Sequence, residues 1–156
     1  LDLSPAGLWA ETKNANLIDT FEIQIPKLPP SVNSMYSTGK TGRRFLTKPG
    51  KDFKRFVRDV NAIYLRGKKL DPTHWYEVFI TFYLPLLTKQ ERKVKVWDVT
   101  NHVKALEDAL AESLGLDDSR FLAVRAAKLP ITHKQEPMTH VRIVPINIKD
   151  LLGETA

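Results

Sequence analysis

Hydrophobic and polar positions alternate from Thr20 to Pro26, with Phe21, Ile23 and Ile25 set against Glu22, Gln24 and Pro26. A period of two marks a half-buried strand. Pro29 and Pro30 block further strand pairing, so the stretch to Tyr36 reads as a loop. From Lys51 to Leu65 the period changes. Phe53, Phe56, Val57, Val60, Ile63 and Tyr64 form an apolar stripe, which predicts an amphipathic helix. Gly67 to Pro72 reads as a turn. Trp75 to Pro85 carries Val78, Ile80, Phe82 and Leu84 on one face, and Tyr76, Phe79 and Tyr83 are apolar too, as in a central strand covered on both sides.

Val99, Val103, Leu106, Leu110 and Leu114 again step by three or four and predict a second helix. Asp98 stands at its N-cap position and Gly115 at its C-terminal stop. Residues 120–129 and 138–147 read as two strands joined as a hairpin through Lys134-Gln135-Glu136-Pro137. The order strand, helix, strand, helix, strand, strand predicts a single α+β domain, a mixed sheet with helices packed on it. Residues 1–19 read as an N-terminal arm, 20–149 as the domain and 150–156 as a tail.

Composition narrows the function. The 156 residues carry a net charge of +6, which favours an anionic partner such as nucleic acid. The chain has no cysteine, so disulfides, thiolate zinc sites and cysteine nucleophiles are excluded. No apolar run approaches the roughly 20 residues of a membrane span, and no secretory signal is visible; the expectation is a cytoplasmic protein without membrane contact.

The charges are unevenly spread. Lys40, Arg43, Arg44 and Lys48 lie in the glycine-rich stretch 37–50, which lacks the spacing of a phosphate-binding P-loop. It reads either as a solvated hairpin tip or as a mobile loop reaching phosphates. Lys51, Lys54, Arg55 and Arg58 load one side of the first helix, and Arg92, Lys93 and Lys95 lie in a basic linker over 87–96. Acids instead gather in and after the second helix: Asp98, Asp108, Glu112, Asp117 and Asp118. The plain reading is a capped surface helix followed by an acidic turn. In a basic protein such a cluster repels itself unless a cation sits in it, and Mg²⁺ is the hard ion that a few carboxylates and waters satisfy.

Four features occur in order: Pro29-Pro30-Ser31-x-Asn33-x-x-Tyr36, the basic loop and helix, Asp98-x-x-Asn101-x-x-Lys104-x-x-x-Asp108, and Leu116-Asp117-Asp118. The set resembles the RusA family of Holliday-junction resolvases, common in prophages and bacteria, over about residues 20–147. The resemblance implies a small homodimeric endonuclease, dependent on Mg²⁺ with Mn²⁺ as an alternative ion, that nicks four-way DNA junctions symmetrically in recombination and repair. It implies Asp98, Asn101, Lys104 and Asp118 as catalytic residues, and Asp98 and Asp118 as metal ligands with Asp117 and Asp108 beside them. Lys40, Arg43, Arg44, Lys48, Lys51, Lys54, Arg55, Arg92, Lys93 and Lys95 would then hold the DNA backbone. One position departs: the family pattern usually reads Asp-x-Asp-Asn at the helix start, and Thr100 stands in place of the second acid. Asp108 or Glu107 would have to compensate, and a protein that binds branched DNA without cutting it is the alternative.

Overall fold

The computed structural model describes residues 16–85, 97–132 and 134–153. Its main sheet contains β2 (Phe21–Ile25), β6 (Trp75–Leu84), β7 (Phe121–Pro130) and β8 (Met138–Ile146), in the spatial order β2-β8-β6-β7. β8 runs antiparallel to both β2 and β6, whereas β6 and β7 are parallel. Parallel neighbours need a long crossover, and here it contains a helix. That helix, α3 (Val99–Leu114), returns the chain from the end of β6 to the start of β7. The result is a mixed α+β domain, as the order of elements predicts.

The hairpin expected between the last two strands does not form. β7 and β8 both pair with β6, one on each side of it, so they are not neighbours in the sheet. A short polar connection looks the same in sequence whether it joins neighbours or skips one strand. β6 is central, as its run of apolar residues suggests, but only one face is sealed. Tyr76, Val78, Ile80, Phe82 and Leu84 are buried and the alternate residues are half-exposed.

The sealed face carries α3 and α2 (Lys48–Leu65). Helix α2 begins three residues before the sequence pattern places it. Thr47 is its N-cap, and Pro49 sits in the first turn, where its missing N–H costs nothing. Gly50 is required there by space: a Cβ would lie 2.6 Å from the Met35 carbonyl oxygen. Met35 ends a short helix, α1 (Val32–Met35), in the stretch read as a loop. A small hairpin of β3 (Tyr36–Thr38) and β4 (Arg44–Leu46) follows it, turning at Gly42 with φ of 76°. Lys69–Leu70 (β5), inside the expected turn, pairs with Leu17–Ile18 (β1) at the end of the expected arm. The tail contains one further turn of helix, α4 (Ile148–Leu151). No described helix is long and apolar enough to cross a membrane.

Candidate active site

Helix α3 positions the site, and its sequence explains why it holds. Leu106, Leu110 and Leu114 are buried as the period requires, and Ala105, Ala109 and Ala111 let α2 and the sheet approach closely. Asp98 caps the helix: its Oδ1 accepts from the Thr100 N–H at 2.9 Å and the Asn101 N–H at 3.5 Å. The Asn101 amide donates to Asp98 Oδ2 at 3.1 Å. Trp97 stacks on the His102 ring with centroids 3.8 Å apart and meets Phe82 edge-on at 4.8 Å. Lys128 donates to the Trp97 carbonyl oxygen at 3.0 Å, fixing the approach to Asp98. At the other end Gly115 adopts φ of 66° and stops the helix.

Beyond Gly115, Asp117 caps a single 3-10 turn (Asp118–Arg120), accepting from the Ser119 N–H at 2.9 Å. The Ser119 hydroxyl and N–H hold the Asp117 carboxyl below the usual carboxylate range, and the Arg120 charge acts in the same direction. Lys104 reaches over this turn. Its Nζ lies 3.4 Å from Asp118 Oδ2 and 3.1 Å from Asp108 Oδ1. The hydrogen bond to Asp108 is the largest influence raising the Lys104 pKa, against some desolvation, so the ammonium stays charged. Tyr36, far away in sequence, donates its hydroxyl to Asp108 Oδ2 at 3.1 Å. Burial, then the Asp108 charge, push the phenol pKa up, so it remains a donor. Glu107, half-buried, has its carboxyl pushed up by desolvation.

The sequence candidates therefore divide. Asp108, Asp117, Asp118 and Lys104 gather into one cluster. Asp98 and Asn101 form a second group at the head of the helix, with no partner in common with Asp118 among the described residues. Asp98 and Asp108 are ten residues apart, roughly 15 Å along a helix axis. Among the described residues no three acidic or histidine side chains are placed to cage a metal ion. Mg²⁺ does not demand such a cage; one or two carboxylates with waters and substrate phosphates are its usual protein complement. Adjacent, exposed Asp117 and Asp118 fit that description in donor type. Thr100 is exposed and contributes no charge.

Two clefts flank the cluster. One, of ≈ 460 Å³, is lined by Tyr36, Arg44, Phe45, Lys104 and Asp108. The other, of ≈ 380 Å³, lies between α2 and α3 and is lined by Lys51, Lys54, Arg55 and Arg58, with Glu112 opposite. Leu46 borders both. Lys51, Arg55 and Arg58 are exposed there. Lys54 is not free: its Nζ lies 2.6 Å from Glu112 Oε2, and its side chain is largely covered. Lys48 pairs with Asp52 at 3.0 Å, and the Arg44 guanidinium covers the Tyr36 ring at 4.3 Å. Lys40 and Arg43 are exposed at the β3–β4 turn. Arg92, Lys93 and Lys95 lie outside the described residues.

The family model of endodeoxyribonuclease RusA matches residues 26–144, some three quarters of the chain. The chain belongs to the RusA endodeoxyribonuclease family. No curated protein matches it. A RusA-family assignment makes the chain an endodeoxyribonuclease type. The match takes in every residue of both clefts and both acid groups. Sequence reading missed the Tyr36 contact because the two partners are 72 residues apart; the only signal was Tyr36 closing the Pro-Pro-Ser-x-Asn-x-x-Tyr run. It also missed the Trp97–His102 stack, for which five-residue spacing gives no helical rule.

Proposed function

We propose that this protein is a Mg²⁺-dependent endonuclease that resolves four-way DNA junctions by paired phosphodiester hydrolysis, acting as a homodimer with one site per subunit. The observation that carries the reading is the Lys104 ammonium, which lines the cleft beside Arg44 and at the same time contacts Asp118 of the acidic turn. A basic groove alone would bind DNA, and an acidic turn alone would repel it. With Lys104 touching both the cleft and the turn, a backbone phosphate and a divalent cation could share a site there.

Asp118, with Asp117 beside it, would hold the cation together with waters and substrate phosphate oxygens, and Asp98, at the head of α3, would reach it through one of those waters. When bound, it would acidify a water and neutralise the non-bridging phosphate oxygens. Lys104 stabilises charge that builds on the scissile phosphate or on the leaving oxygen. Asn101 keeps the Asp98 carboxylate oriented through its amide. Lys51, Arg55 and Arg58 hold one DNA arm by phosphate contacts, which position the duplex without reading its sequence.

Thr100 favours a second reading, in which the protein binds junctions without cutting them, because it removes one carboxylate from the helix start. A synthetic four-way junction separates the two. Symmetric nicks with Mg²⁺ or Mn²⁺ and none in EDTA support the nuclease. Tight binding in EDTA with no product in either metal supports the binder and overturns the proposal.

A further inference from the structure

We propose that Asp108 is a positioning residue for Lys104, fixed in turn by the Tyr36 hydroxyl. A lysine half-exposed on a helix would ordinarily sweep a wide volume, since its four-carbon stem is flexible. An i,i+4 ion pair on a surface contributes only about 0.3–0.5 kcal/mol, and acid-before-base is the favoured order along a helix. Lys104 precedes Asp108, so the pair alone would hold the ammonium loosely.

Asp108 differs from a surface acid in two respects. Its side chain is only 20% exposed, against 51% for Lys104 and 54% for Asp118. Both its oxygens are also engaged, Oδ2 by the Tyr36 hydroxyl and Oδ1 by Lys104. Tyr36 is itself held. It starts β3 in register with Leu46, the preceding residue, Met35, accepts at its carbonyl oxygen from the Thr47 N–H at 2.9 Å, and the Thr47 hydroxyl donates to the Ser34 carbonyl oxygen at 2.6 Å. Arg44 covers the ring. Order thus passes from the β3–β4 hairpin to the phenol, to the carboxylate and to the ammonium that meets Asp118. A carboxylate engaged on both oxygens is better suited to aiming a cation than to binding a metal ion, so this inference takes Asp108 out of the metal-ligand set. It rests on the nuclease reading only for its kinetic consequence.

The test uses the full chain with Tyr36→Phe and Asp108→Asn, and Tyr64→Phe as control. Phenylalanine keeps the ring and removes only the donor. Relaxation of the Lys104 ¹⁵Nζ signal reads the clamp without metal or DNA. We expect Lys104 to lose order in both variants and not in the control, with thermal midpoints little changed. In junction cleavage at saturating Mg²⁺ we expect kcat to fall 10–100-fold, the range for residues that orient a functional group. Junction affinity in EDTA should stay within twofold, and the double variant should lose no more than Asp108→Asn alone. Unchanged Lys104 order in Tyr36→Phe overturns the clamp. So does an Asp108→Asn variant whose rate recovers fully at high Mg²⁺, the mark of a lost ligand. Should the unaltered protein cleave nothing, the nuclease reading fails, while the relaxation measurement still decides the clamp.

Discussion

Replacing Lys104 by methionine separates a structural role from a chemical one. The stem is kept and the charge removed. The ammonium contacts Asp108 at 3.1 Å and Asp118 at 3.4 Å, but its side chain is 51% exposed. Solvent-screened pairs of this kind contribute about 0.2–1 kcal/mol. The loss of stability should therefore stay near 1 kcal/mol, a drop in Tm of roughly 2–4 °C for a domain of this size. Stabilisation of charge in a transition state is a larger matter. Removing one such preorganised group typically costs ~10²–10³ in rate, or about 2.7–4 kcal/mol. The assay is single-turnover cleavage of a labelled four-way junction at saturating Mg²⁺, beside a thermal melt of the same preparation. A variant that melts within a few degrees of the parent and cuts at least a hundredfold more slowly fits the account. One that keeps a third of the parental rate, or slows only as far as it unfolds, would refute it.

Three other expectations test different parts of the molecule. Asp98→Asn keeps a good N-cap and removes the charge, so Tm should hold while cleavage falls at least tenfold; Asp98→Ala should in addition lower stability by ~1 kcal/mol, and an unchanged cleavage rate in the first variant would remove Asp98 from the reaction. Lys51→Ala and Arg55→Ala should each weaken junction binding and lower the slope of log affinity against log salt by about 1, whereas a slope unchanged in both would show that the α2 groove does not touch DNA. Glu107 has its folded-state pKa raised by burial, so the folded state binds its proton more tightly than the unfolded chain does. That carboxyl destabilises the fold above its raised pKa and stops doing so below its unfolded value. Glu107→Gln should accordingly raise Tm at pH 7 and not near pH 4; an equal gain at both would show that the effect is not ionisation.

Local features were legible in the chain, and long-range partners were not. The α3 helix could be read with both its caps, because Asp98 and Gly115 act on backbone within a few residues of themselves. β2 and β6 followed from their periods. The start of α2 was hidden because Pro49-Gly50 looks like a loop, although proline is welcome in a first turn and Gly50 answers a contact with Met35 made only in the folded chain. The separation of β7 from β8 was hidden because the connection has a hairpin's length and polarity. The breadth of β6 held the missing clue, since a central strand must have a neighbour on each side and two of the remaining strands had to supply them. Within the site, acids near in sequence were easy to group, but the folded chain regroups them around Lys104. Tyr36 joined only through a contact that no spacing rule encodes.

The role proposed for the acidic turn beside Lys104 is to make this RusA-family chain a metal-dependent junction nuclease. Its most direct test is a single gel: a four-way junction incubated with the parent protein and with Asp118→Asn, each in Mg²⁺ and in EDTA. Paired nicks from the parent in Mg²⁺ alone, with equal junction binding by both proteins, are the predicted result. Cutting by Asp118→Asn at the parental rate, or by the parent in EDTA, would contradict it.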